Sequence, residues 1–404
     1  MGTDAVARLP ADLAVGLSGR RPRRADSGVA PARRVSRRQV PPCRPSSRRR
    51  VALVCPYDVS VPGGVQTQVI ALAEELVVLG TRVTVVAPGG VPSRAAGDVA
   101  YIDVGRALRV AANGSRAPVA LSPAAVVRTA GALHRDCFDV VHVHEPMVPL
   151  VGLSALAAAR AAVVATFHRS GLDLAYRAEA KALGGLARRI VTPVAVSEAA
   201  RETAVRALGF TDVAIVPNGV RIVPGGHGDK APVPTVVFVG RHESRKGLAV
   251  LLEAFGFVEQ PARLVVIGEG PETPALRARF ASDRRLEWCG AVDDETRRLL
   301  VSSADLFCAP SLGGESFGVV LLEAMAVGTA VVASDIPGYR LAAGDAAELV
   351  PPGDPVALAG ALNRLLADGE RRAALAATGR LRAEEHSMAR VASRYLELYE
   401  AALS

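Results

Sequence analysis

The chain runs to 404 residues, half of them apolar, which is too long for one hydrophobic core and suited to two or three domains. Its formal charge of +8 is concentrated: the first fifty residues carry thirteen arginines against Asp4, Asp12 and Asp26, so the rest sums to −2 and no nucleic acid is expected as a partner. The five cysteines (Cys43, Cys55, Cys137, Cys289, Cys308) form no C-x-x-C pair, which argues for a reducing cytosol and against a zinc knuckle or disulfide scaffold, and no run of about eighteen uncharged apolar residues offers a membrane span.

Residues 1–49 are rich in Arg, Pro, Ser and Ala and poor in aromatics, so a disordered basic tail is expected there, read as a solvated arm or a start site placed too early. From residue 50 short β-branched runs alternate with helical stretches: V-A-L-V-C, R-V-T-V-V-A, D-V-V-H-V-H, A-V-V-A-T-F-H and P-V-A-V-S. After Pro217-Asn218-Gly219 the series restarts with T-V-V-F-V-G, R-L-V-V-I-G, L-E-W-C-G, D-L-F-C-A-P and A-V-V-A-S-D. Strands apolar on both faces and separated by helices predict parallel sheets with crossover helices. The expected fold class is therefore α/β, with two Rossmann-like domains at 50–217 and 218–387, a linker or surface loop at 224–234, and a closing helix over 388–404. Ligands in such sheets bind beyond the carboxyl ends of the strands, so strand-end motifs carry the most weight.

The first of these is C-P-Y-D-V-S-V-P-G-G-V-Q, where Gly63 and Gly64 open a helix and let backbone approach a diphosphate, or simply make a βα turn. The chain has neither G-x-G-x-x-G nor G-x-x-x-x-G-K-[S/T], which removes support for dinucleotide redox chemistry and P-loop hydrolysis. His168 ends its strand and can point into a cleft, although lone strand-end histidines are usually structural. His142, His144 and Glu145 share a strand region, but a metal site there lacks a further ligand and none is expected. Arg241 and Lys246 in G-R-H-E-S-R-K-G follow a strand and can hold a diphosphate, the alternative being a solvated basic loop. Asp293 or Asp294 can cap the helix that follows; Asp294 can also accept from two donors of guanine.

The densest signal spans residues 313–328, G-G-E-S-F-G-V-V-L-L-E-A-M-A-V-G. Ser316 is predicted to cap a helix from Phe317 to Val327, with Gly328 just past its end. Glu315 then precedes that helix and Glu323 lies about two turns inside, roughly 12 Å on. Two carboxylates beside a helix N-terminus suit an anionic, sugar-bearing ligand.

Two glutamates seven residues apart beside G-G-E-S-F-G resemble the donor-site signature of retaining family 4 glycosyltransferases. With V-H-E-P, A-T-F-H, P-N-G-V and G-A-V-D-D-E-T in the same order, residues 51–404 resemble the actinobacterial phosphatidylinositol mannosyltransferases, more loosely between Pro88 and Asp139. The resemblance implies the glycosyltransferase B architecture (GT-B), two lobes facing a central cleft with the closing helix packed on the first. It implies transfer of a hexose, mannose from GDP-mannose ahead of a UDP-sugar, to a hydroxyl of an inositol-type or lipid-linked acceptor, with no tightly bound cofactor and no protein-bound metal; the alternatives are the same chemistry on another cell-envelope or soluble acceptor, and an epimerase, phosphorylase or non-catalytic nucleotide-sugar binder of the same fold. His168 and Glu315 then serve the reacting sugar. Gly64, Arg241, Lys246, Ser316, Phe317, Gly318, Val319 and Val320 serve the diphosphate, Val292, Asp294 and Arg297 the base, and Glu323 the ribose. Tyr57, Gln66, Asn113, Ser115, Arg116 and Arg169 are placed at the acceptor. A cytoplasmic enzyme in peripheral contact with anionic lipid at the inner face of the plasma membrane is implied as well. The sequence departs from the resemblance there: Arg128, His134 and Arg135 make a weak basic patch, at about 1 kcal/mol of membrane attraction per residue, and Arg169 and Asp173 stand where a small hydroxyl residue and a lysine are usual.

Overall fold

The alternation of β-branched runs with helical stretches produces two parallel sheets, each flanked by helices. The computed structural model describes residues 48–404 except 62, 93–96, 113–114, 172–175, 177–179, 182–183, 224–229 and 231. Residues 1–47 of the expected basic tail and most of the expected 224–234 loop lie outside the described residues. The first lobe carries β1 (Arg50–Val54), β2 (Arg82–Ala87), β3 (Ala100–Asp103), a hairpin of β4 (Leu108–Ala112) and β5 (Ser115–Val119), then β6 (Val140–His144), β7 (Ala162–Phe167), β8 (Ile190–Ala195) and β9 (Ala214–Ile215). Apart from the hairpin these form one parallel sheet in the order β3-β2-β1-β6-β7-β8-β9. The second lobe carries β10 (Thr235–Val239), β11 (Arg263–Ile267), β12 (Leu286–Gly290), β13 (Leu306–Ala309), β14 (Ala330–Ser334) and β15 (Ala347–Val350), ordered β12-β11-β10-β13-β14-β15.

Each central strand reads as an unbroken apolar run because it feeds two cores. In β1, Ala52 and Val54 enter one buried cluster while Val51 and Leu53 enter the cluster on the opposite face. In β10, Val236 and Phe238 face one core and Val237 the other. Burial of each such Val, Leu or Phe side chain contributes roughly 1.5–3 kcal/mol. Both sheets reverse direction of strand addition at their centre, between β1 and β6 and between β10 and β13. A crevice opens at the carboxyl ends of those strands.

The helix Met388–Leu403 buries Met388, Val391, Ala392, Tyr395 and Tyr399, at helical spacing, against Val69, Leu72, Ala73 and Leu76 of the helix Gly64–Val78 in the first lobe. Two chain crossings between the lobes run side by side: the Val220 amide donates to His386 carbonyl at 2.9 Å and the Met388 amide donates to Val220 carbonyl at 2.8 Å. The Gln68 side chain grips the same crossover, donating to and accepting from the Gly219 backbone at 2.8 Å each. Cys55, Cys289 and Cys308 are free thiols.

Candidate active site

Between the lobes lies a cavity of about 550 Å³, walled by the ends of β1, β7, β10 and β13 and the loops that follow them. Two helix N-termini, one from each lobe, open into it without side-chain caps. In the first lobe Gly63 starts the Gly64–Val78 helix in extended conformation, and a Cβ on Gly63 would stand 2.3 Å from the Gln66 amide oxygen. In the second lobe Gly318, at φ 86°, starts the helix Val319–Ala326, and a Cβ there would meet Tyr339 at 2.6 Å. First-turn N–H groups have no partner within their own helix, and the dipole adds partial positive charge. Both ends are therefore built for an anion.

The helix begins two residues later than Ser316 capping requires. Gly313 and Gly314 carry the loop through φ 157° and 74°, and the loop packs on Gly338 so closely that a Cβ there would lie 2.1 Å from the Glu315 carbonyl. Ser316 accordingly lines the cavity instead of capping, and Glu323 sits about one turn inside the helix rather than two, roughly 6 Å along the axis from Val319.

Opposite the glycine loop, the 3₁₀ turn Ser244–Lys246 delivers cations to its carboxylate. Lys246 Nζ donates to Glu315 Oε1 at 2.6 Å, and Arg245 donates to the same oxygen at 3.0 Å. Arg241 pairs with Glu243 at 3.1 Å, and Glu243 also meets Arg245 at 3.3 Å. The cationic loop is thus pre-formed around one proposed sugar-contacting carboxylate. Arg245, Glu243, Asn218, Ser311 and Tyr339 escaped the reading from sequence. Arg245 was findable from its place in R-H-E-S-R-K, Asn218 passed as turn punctuation, and Tyr339, whose phenol donates to or accepts from Ser311 at 2.8 Å, stands in no motif.

Further along the Val319–Ala326 helix, Arg297 bridges Asp294 at 3.1 Å and Glu323 at 3.4 Å, and all three line the cavity. The cap on the helix Asp294–Ser303 is Asp293, which accepts from the Thr296 amide at 2.8 Å, leaving the Asp294 carboxylate for the cavity. Val292 packs into the core of the second lobe and is not among the lining residues. Tyr57 and Gln66 line the first-lobe wall, and Tyr57 forms an isolated bridge with Val119 that ties the β1 loop to the hairpin. Asn113 lies outside the described residues; Ser115 and Arg116 lie on β5, and their side chains are also outside that description. Arg169 does not line the cavity: its guanidinium lies 4.9 Å from the centre of the Tyr176 ring.

His168 follows β7 and reaches the cavity wall at 8% exposure. Burial lowers its pKa to about 4, so the ring is neutral at physiological pH. Behind it stand His144, with Nδ1 3.0 Å from His168 Nε2, and His142, stacked on His144 at 4.2 Å between ring centres. His142 is held by Tyr399 and Thr166 at 2.7 Å each, and Thr166 also meets Tyr395 at 3.0 Å. The histidines first weighed as metal ligands are thus joined to one another and to the closing helix. Glu145, at φ 47°, accepts from the His168 amide at 2.6 Å, which fixes where the β7 end points.

An anion cradle between two lobes, with a carboxylate held beside it, is an arrangement found in sugar transfer from nucleotides. Two family models cover the lobes in turn: Glycosyltransferase Family 4 over residues 62–222 and Glycosyl transferases group 1 over residues 233–368. A phosphatidyl-myo-inositol mannosyltransferase of Mycobacterium leprae is 38% identical over 367 residues, spanning 87% of this chain and 96% of that protein. The chain belongs to the family 4 glycosyltransferases. Its relatives include a D-inositol 3-phosphate glycosyltransferase of Xylanimonas cellulosilytica, 37% identical over 41% of this chain and 42% of that one. The transferase shares its fold with sucrose-phosphate synthase of Thermosynechococcus elongatus, at a TM-score of 0.70 and 21% identity over 88% of this chain and 99% of that one. It also matches Anabaena HepE solved with UDP and glucose, at 0.69 and 18% over 88% and 100%. These likenesses give it the GT-B fold, and membership of the family implies a nucleotide-sugar donor. Among the described residues no helix is long and apolar enough to cross a membrane.

Proposed function

We propose that this transferase moves mannose from GDP-mannose to a hydroxyl of an inositol-bearing lipid, with retention of configuration. The observation that carries the reading is the Lys246–Glu315 pair set between two uncapped helix N-termini from opposite lobes. The diphosphate lies between those N-termini, with Arg241 and Lys246 offsetting the charge that grows as it departs. Its arrival draws Lys246 from Glu315, which is then available to the sugar hydroxyls. Glu323 takes the ribose hydroxyls and Asp294 the two donors of guanine. The bond from C1 to the phosphate oxygen breaks as C1 bonds the acceptor oxygen on the same face. The acceptor proton passes to the leaving phosphate, so no side-chain base is required. Closure of the lobes excludes water that would otherwise hydrolyse the donor.

The acceptor reading draws on the names of the Mycobacterium leprae and Xylanimonas cellulosilytica relatives. Residues 50–217 with the helix 388–404 form the acceptor lobe and 218–387 the donor lobe. Tyr57 and Gln66 then meet the acceptor, and the face of Pro123–Arg135 bearing Arg128, His134 and Arg135 meets the anionic membrane surface on its cytoplasmic side. Radiolabelled GDP-mannose offered with phosphatidylinositol vesicles, with soluble inositol phosphate and with neither tests this. Lipid-dependent release of GDP with label in the lipid supports the reading; transfer to inositol phosphate alone moves the acceptor to the soluble class; release of nucleotide without any acceptor overturns it.

A further inference from the structure

The imidazole column behind the cavity has one nitrogen too many for its partners. His144 is 2% exposed; its Nδ1 faces His168 Nε2 at 3.0 Å, while its Nε2 is buried without a hydrogen-bond partner. Burial holds all three histidines in their neutral forms: His142 is lowered to about 3, His168 to about 4, and His144 well below the ordinary histidine range. Each neutral ring carries a single ring proton, and the pair needs one donor and one acceptor between them.

Two arrangements satisfy that pair. If His168 Nε2–H donates, His144 must carry its proton on Nε2, and a buried N–H is stranded. If His144 Nδ1–H donates, the stranded atom is a bare acceptor and His168 carries its proton on Nδ1. Orphaned buried N–H groups are the rarer defect in folded proteins. The second arrangement also leaves the His168 Nδ1–H to be accepted by the Asn218 side chain, which lines the cavity beside it, until a substrate oxygen takes that place. His142 is poorly placed to exchange roles, since Tyr399 and Thr166 occupy both its nitrogens.

We propose that His144 is a positioning residue that holds His168 in the Nδ1–H tautomer, so that the cavity side of the ring presents a hydrogen-bond donor to an oxygen of the transferred sugar. An isolated neutral histidine prefers the Nε2–H form, so the assignment runs against intrinsic chemistry and must be imposed by the neighbour. It rests on the proposed reading that His168 faces the sugar, but the tautomer itself is measured without any substrate.

The test is long-range ¹H–¹⁵N NMR of the full chain with ¹⁵N-labelled histidine, His168 being assigned by its loss in His168→Asn. The expected spectrum has His168 Nδ1 protonated and Nε2 bare. His144→Phe should return His168 to the Nε2–H form and lower kcat about tenfold or more with donor KM within about threefold. His144→Asn, whose amide nitrogen takes the place of Nδ1, should restore both. Wild-type protein with Nε2–H at His168 overturns the proposal, as does a His144→Phe variant with the Nδ1–H form intact. If the NMR result is as expected yet His168→Asn transfers normally, the tautomer stands and the sugar-facing role of His168 falls instead.

Discussion

Glu315 illustrates how a single carboxylate takes its role from its neighbours. It accepts from both Lys246 and Arg245, so the charge proposed to orient the sugar is held in place by two cations. Glu315→Gln keeps the shape and part of the hydrogen bonding while removing the charge. It is expected to lower kcat on the order of 100-fold while leaving GDP affinity near wild type, as read by steady-state kinetics beside GDP titration. The buried histidines give a separate prediction with a defined sign. Burial depresses the native pKa of His142 to about 3, with His168 as a lesser cause, and that of His168 to about 4. Below about pH 6.5 the unfolded chain takes up protons that the native state refuses, so stability falls as pH drops through that window, by up to roughly 1.4 kcal/mol per pH unit for each histidine. Urea midpoints at pH 7.5, 6.0 and 5.0 measure this; a flat series would mean the rings are not held neutral. At this scale Arg241, Lys246, Glu315 and Glu323, which all line the cavity, were picked out through the family resemblance, since on the residues alone a solvated basic loop was the competing reading for the two cations. Asn218 and Tyr339 were not, because their roles come from a crossover and a neighbouring helix that sequence spacing does not encode.

Two elements decide the shape of the cavity, the glycine loop and the closing helix. The loop reaches its course only because Gly318 tolerates φ 86° and leaves room for Tyr339. Gly318→Ala should cost about 1–3 kcal/mol through backbone strain and displace the helix N-terminus, so that GDP no longer raises the melting temperature. On the closing helix, Tyr395→Phe removes a partner of Thr166 and should cost about 1–3 kcal/mol in urea unfolding without changing donor affinity. The helix Met388–Leu403 was readable because its apolar side chains recur at helical spacing, whereas β3, the β4–β5 hairpin, β9 and β15 passed unnoticed. Those strands are short, sit at sheet edges or outside the main sheets, and in β5 include Pro118, so they lack the two-sided apolar run that marked β1, β10 and β14. The start of the Val319 helix was misread for a related reason: Ser316 has capping chemistry, but two preceding glycines and the approach of Gly338 route the loop past it.

For the molecule, two sheets with the same reversal at their centres place four strand ends around one crevice. The paired crossings at Val220 and Ser387, with Gln68 clasping Gly219, keep those ends in register. This organisation was legible because the strand series visibly restarts after Pro217-Asn218-Gly219; the facing of the lobes came through the family resemblance, since periodicity carries no information about how one domain sits on another. Among the described residues, those that line the cavity lie between Tyr57 and Tyr339, and removing residues 1–47 should leave kcat and the GDP-induced thermal shift within about twofold of the full chain. The central claim is that the two uncapped helix N-termini and the Arg241–Lys246 loop jointly grip a nucleotide diphosphate. A crystal structure with GDP-mannose bound tests it most directly. The account requires the diphosphate between Gly64 and Val319, within hydrogen-bond reach of Arg241 and Lys246, with Lys246 drawn off Glu315 and the sugar against that carboxylate; a donor seated outside the crevice, or one that leaves the Lys246–Glu315 pair closed, would contradict it.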